Sequence, residues 1–190
     1  MKKKGLRITF NAPVTLTFGF LCVVVFLINL FTDGYSNQLL FITYHSSLYD
    51  PLTYVRFFTH VLGHSSWSHL IGNMSYILLL GPLLEEKYGS HVMIWVIALT
   101  GLVTGVFNYF LFPYSGLLGA SGVVFALILL SSITSVKNGE IPLTFILVVI
   151  VFLGQQIYDG LFVADNISQF GHIVGGIVGS AVGFSISHQR

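Results

Sequence analysis

A chain of 190 residues is long enough for one compact domain, yet 54% of it is hydrophobic and only 8% charged, where soluble domains carry about 25% charged residues. That balance excludes a fully water-exposed surface, so most of the exterior is expected to face lipid. The net charge of +1, with no basic cluster beyond Lys2, Lys3, Lys4 and Arg7, excludes a nucleic-acid partner, and the lone Cys22, in an apolar run, is read as a small packing residue.

In chain order, Lys2 to Lys4 followed by the apolar run Val14 to Phe31 has the outline of a signal peptide. The run is long for that role and no small-residue cleavage site follows, so it is expected to be an uncleaved first span. Further apolar runs follow, giving expected transmembrane helices near 14–31, 68–84, 91–111, 121–136, 142–161 and 169–187. The connection Thr32 to Trp67 is too long and, in its second half (Tyr54, Val55, Phe57, Phe58, Val61, Leu62, Trp67), too apolar for a free loop. It is predicted to lie in the membrane interface, where aromatic residues are favoured. Residues 1–190 thus read as a single all-α membrane domain, a six-helix bundle with an interface-embedded first loop. With six spans, Lys2, Lys3, Lys4, Arg7, Lys87, Lys137 and Arg190 fall on one side, and Arg56 is the only basic residue opposite them. Positive charge stays inside, which places both termini in the cytoplasm.

Polar side chains inside spans are costly and are functional candidates by default. His69 and Asn73, four residues apart, share one face at the start of the second span. Ser121 opens the fourth span in Gly119-Ala120-Ser121-Gly122, and His172 lies early in the sixth, in Gly171-His172. Spans two, four and six run in the same direction, so all four residues lie at one depth near the outer face. Gly175, Gly179 and Gly183 follow His172 at intervals of three, seven and eleven, a small-residue stripe that lets a neighbouring helix approach. Taken singly, these features are ordinary: an isolated serine in a span bonds its own helix, and glycine stripes serve packing. Their coincidence at one depth suggests a site. A serine hydroxyl needs a base to become nucleophilic, and His172 suits that part. No carboxylate shares the depth, which predicts a Ser121–His172 dyad in place of a triad. Phe125, one turn past Ser121, is expected to orient the imidazole. The Ser121 backbone N–H, the His69 ring and the Asn73 amide are candidate donors to an oxyanion, while Gly119 and Gly122 remove bulk around the serine.

The run Arg56 to Asn73, with His60, His64, His69 and Asn73, resembles the histidine pattern ending in H-x-x-x-N of the rhomboid family of intramembrane proteases. Gly119-Ala120-Ser121-Gly122 is similar to that family's G-x-S-G, Gly171-His172 to its last-span histidine, and Glu85 to Ser90 to the polar turn after its second span. Phe125 stands where some bacterial members have Tyr, and Val55 where some have Trp. The resemblance implies a minimal six-span bacterial form in the inner membrane. It further implies an intramembrane serine endopeptidase that cleaves the transmembrane helices of membrane proteins near the outer face, through an acyl-enzyme. Its partners would be transmembrane substrates and the lipid bilayer, with no cofactor and no metal; the sequence sets no oligomeric state. Lateral admission of substrate is expected from the fifth span or the 112–120 and 162–168 connections. His60 and His64 are read as hydrogen-bond support for the first loop in preference to cavity lining, and Arg56 as an anchor for loop carbonyls. Three other readings fit the sequence less well. A zinc site at His60, His64 and His69 lacks H-E-x-x-H and any accompanying carboxylate. A non-catalytic helix binder of the same family would typically lose the dyad. A channel would show an inverted repeat or a polar path.

Overall fold

The structure is a computed structural model that describes residues 8–133, 140–162 and 169–187. It is helical, with no strand among the described residues beyond isolated bridges. The helices are α1 Pro13–Phe31, α2 Pro51–Thr59, α3 Trp67–Tyr88, α4 Ser90–Leu111, α5 Ser121–Ile133, α6 Leu143–Phe162 and α7 Gln169–Ser187. The basic termini, Lys137 and the greater part of the 162–168 connection, all invoked for topology or gating, lie outside the described residues, as does the end of the expected span at 121–136.

α5 sits at the centre. Every residue from Gly122 to Leu130 is buried, as is Ile133. A helix apolar on all sides belongs in an interior, and this one packs most extensively on α7, with α3, α4 and α6 also against it. The α5–α7 contact is backbone to backbone. A β-carbon on Gly175 would fall on the Gly122 carbonyl, and one on Gly179 would stand 2.6 Å from the Ala126 Cα. One on Gly183 would meet Ile133 at 3.1 Å. Residue numbers rise together along this seam, so the two helices run parallel, and the glycine stripe is what lets them touch.

By length and composition, α1 and α4 are each apolar enough to cross a membrane. α5 is not, because its described part has 13 residues, about 20 Å at 1.5 Å per residue. The burial of all its apolar residues means that it need not present a long lipid-facing side. Large apolar side chains are instead exposed around the outside: Phe20 and Phe31 on α1, Leu79 and Leu83 on α3, Trp95 and Phe110 on α4, Ile150 and Val151 on α6. Such exposure is foreign to a soluble monomer.

The polar stretch expected to form a turn after the second span is instead helical. α3 continues through Glu85, Glu86, Lys87 and Tyr88, all good or tolerable helix formers, and stops only at Gly89, whose φ of +86° suits glycine. Glu85 points inward. It accepts hydrogen bonds from the backbone N–H groups of Val14 and Thr15 (2.9 Å each), from the Thr15 hydroxyl (2.8 Å) and from the Ser90 hydroxyl (2.8 Å). One carboxylate thereby caps α1 and ties it to the start of α4. Burial alone would raise its pKa, but these donors outweigh burial and hold it below the usual carboxylate value.

The connection from α1 to α3 is ordered by side chains. Asp50 caps α2 through the Leu52 N–H at 3.0 Å. Arg56, buried, donates to the Leu39 carbonyl (2.9 Å) and to Asp50 (3.3 Å) and lies over the Tyr44 ring at 4.7 Å. It therefore anchors the loop, through one carbonyl, one carboxylate and one ring. Thr43 and Leu117 exchange backbone hydrogen bonds of 2.9 and 2.8 Å, joining this connection to the segment before α5.

Candidate active site

Ser121 is the first residue of α5. A helix start carries N–H groups with no acceptor inside the helix and the positive end of its dipole, so the backbone around Ser121 suits an anion. The approach to it is a turn that requires glycine: Gly119 has φ +122° and gives its N–H to the His60 carbonyl at 2.9 Å.

His172 lies in the first turn of α7 and is buried. Its ring stacks on Phe125, with centroids 4.5 Å apart and planes 5° from parallel. Phe125 is four residues past Ser121, on the same face of α5, so the stack sets the imidazole over the turn that carries the serine. Phe152 of α6 meets Phe125 edge-on at 5.7 Å. Next to Ser121, a β-carbon on Gly122 would stand 3.3 Å from the Gly171 carbonyl. A bulkier residue there would push away the chain that delivers His172.

His69 and Asn73 come from the first turns of α3. A β-carbon on Gly119 would meet His69 Nε2 at 2.6 Å and Asn73 Nδ2 at 3.8 Å. Both side chains therefore face the backbone leading into Ser121, and only glycine fits between them. Asn73 Nδ2 also lies 3.0 Å from His64 Nε2, while His64 Nδ1 lies 3.1 Å from the Leu62 carbonyl. A carbonyl can only accept, so Nδ1 bears the proton and Nε2 accepts from Asn73, which assigns the orientation of the amide. His60 Nε2 donates to the Gly101 carbonyl at 3.0 Å. Burial pushes the pKa of both rings down to about 4; for His64 the neighbouring His69 adds to the effect and the Leu62 hydrogen bond opposes it. Both are neutral at pH 7; His64 makes the supporting hydrogen bonds expected of it, whereas His60 both bonds the Gly101 carbonyl and lines the cavity beside Ser121.

All the expected site residues thus gather around the start of α5. A small cavity of about 10 Å³ there is lined by His60, Val61, Thr104, Leu117, Gly119, Ser121, Gly122 and Gly171. Sequence reasoning missed Thr104, whose hydroxyl lies 3.3 Å from His60 Nε2, and Ser65, whose hydroxyl lies 3.2 Å from His69 Nδ1. Ser65 was legible as the residue four before His69; for Thr104 nothing in the sequence pointed to the site. Among the described residues, no three His, Cys, Asp or Glu side chains gather closely enough to hold a metal ion.

Residues 51–189 match the family model of the Rhomboid domain. The chain is 27% identical over 185 residues to Rhomboid protease GlpG of Haemophilus influenzae, an alignment that covers 95% of this chain and 94% of that protein. It is 30% identical over 161 residues to Rhomboid-related protein 2 of Mus musculus, covering 73% of this chain and 53% of that protein.

Proposed function

The chain belongs to the rhomboid family, whose membership implies an integral membrane protein with intramembrane serine protease activity, and we propose that it cleaves transmembrane helices by a Ser121–His172 dyad. The observation that carries this reading is the Phe125–His172 stack one turn below Ser121. The stack fixes the plane of the imidazole beside the start of α5.

In the proposed reaction, the Ser121 hydroxyl attacks the scissile carbonyl as its proton passes to His172. The carbonyl oxygen becomes an oxyanion, held by the Ser121 N–H, the His69 Nε2–H and the Asn73 Nδ2–H. Collapse breaks the C–N bond, and His172 returns the proton to the leaving amine. Water, activated by His172, then hydrolyses the acyl-enzyme. The cavity beside Ser121 has room for about one water molecule.

The substrate is a membrane-anchored protein whose helix unwinds near the outer face, since a helix hides its carbonyls in internal hydrogen bonds. The topology that goes with this is six spans with both termini in the cytoplasm of a bacterium, and α2 with its exposed Tyr54 and Phe58 in the outer interface. Substrate enters beside α6, which packs only against α5 and α7 in any extended way among the described residues. Detergent-purified protein tested on a labelled spanning-helix substrate decides the matter: wild type cleaves, whereas Ser121→Ala and His172→Ala do not. Wild-type cleavage by Ser121→Ala would end this reading.

A further inference from the structure

A histidine donates through Nε2 only if that nitrogen holds the ring's single proton, and something must set that choice. The His69 ring is held on three sides. Nε2 faces the backbone at Gly119, which has no side chain to block it. The His64 ring packs against it edge to face at 5.0 Å. On the far edge, Nδ1 lies 3.2 Å from the Ser65 hydroxyl.

We propose that Ser65 is a positioning residue for the proteolytic reaction: its O–H donates to Nδ1 of His69, fixes the neutral ring as the Nε2–H tautomer, and so keeps a donor aimed at the oxyanion. The neighbouring hydroxyl cannot take this part, because Ser66 caps α3 by accepting the His69 backbone N–H at 3.2 Å and also lies 3.0 Å from the Ser68 hydroxyl. Ser65 is four residues before His69, and the Ser66 cap fixes where the chain turns into α3, which brings the Ser65 hydroxyl to the outward edge of the ring. The amide of Asn73 is set from the same stretch, through Leu62 and His64. Residues 62–65 therefore orient both side-chain donors.

The inference rests on the proposed oxyanion role of His69, and its test is read without activity as well as with it. Ring-¹⁵N-labelled histidine in the detergent-solubilised full chain reports which nitrogen of His69 is protonated, with the His69 signals assigned from their loss in His69→Gln. Wild type is expected to show the Nε2–H tautomer. Ser65→Ala is expected to give a mixture of tautomers and a kcat lower by about three- to tenfold, the worth of one hydrogen bond, with KM unchanged. Ser65→Thr keeps the hydroxyl and is expected to restore both readings. A wild-type ring protonated on Nδ1 overturns the proposal whatever the variants do, as does a Ser65→Ala protein with the wild-type tautomer and kcat. If Ser121→Ala is inactive in that same preparation, the proposed function stands and only the part given to Ser65 falls. If Ser121→Ala cleaves like wild type, the proposed function itself has failed.

Discussion

Of two adjacent glycines on α7, one should tolerate an added methyl group and the other should not. In Gly175→Ala the new β-carbon would overlap the Gly122 carbonyl oxygen and stand 2.7 Å from the carbonyl carbon and 2.9 Å from the Cα. The obstacle is backbone, so no rotamer change relieves it. Carbon–carbon contacts settle at about 3.5–4.0 Å, so the helices must separate by roughly 1 Å, beside the serine. Overpacking of this kind costs about 1–3 kcal/mol, and a 1 Å displacement of catalytic groups costs about 100-fold in rate. In Gly176→Ala the β-carbon would lie 3.6 Å from the Leu129 Cγ, an ordinary contact, and alanine is the better helix former by about 1 kcal/mol. Gly175→Ala should therefore lower the thermal midpoint in detergent and cut the cleavage rate about 100-fold, while Gly176→Ala leaves both near wild type. Equal rates for the two variants would refute the register of α5 on α7 and the packing argument built on it.

Other outcomes follow from the same contacts. Phe125→Leu should lower kcat by roughly two- to tenfold through loss of the ring stacked on His172, a contact worth about 0.5–1.5 kcal/mol, while Phe125→Tyr keeps the stack and most of the rate. Glu85 has its pKa held low in the folded protein, so its stabilisation is complete above its ordinary value of 4.5 and fades as pH falls below it. Glu85→Gln should reduce the thermal midpoint at pH 7 and flatten the acid side of the stability profile. His64 titrates near 4 when folded against 6.5 otherwise, so the unfolded chain binds the proton first and stability falls as pH drops from 6.5 towards 4. A His64→Gln protein, measured by thermal melts across that window, should lose part of that slope.

The helices with unbroken apolar runs were plain in the sequence because composition decides them: α1 and α4 needed nothing but length and hydropathy. The candidate site was legible for a different reason. Ser121, His172, His69 and Asn73 are polar groups in places where polarity is costly, and Gly119, Gly122 and Gly175 are absences of side chain that close backbone contacts demand. What stayed hidden was set by tertiary partners. The inward turn of Glu85 depends on α1 presenting the Val14 and Thr15 N–H groups across about seventy residues of chain, so a charged stretch read as a polar turn between spans proved to be helix with a buried carboxylate. Thr104 sits mid-helix at a position that a lipid-facing threonine would fill equally well, and only the arrival of His60 makes it part of the site.

The most direct measurement is covalent trapping. Wild type treated with a serine-reactive phosphonate and mapped by mass spectrometry should carry one adduct, on Ser121. Labelling should vanish in Ser121→Ala and slow by orders of magnitude in His172→Ala, because the hydroxyl is a poor nucleophile without its base. An adduct on another serine, or labelling at the wild-type rate with His172 removed, would contradict the dyad.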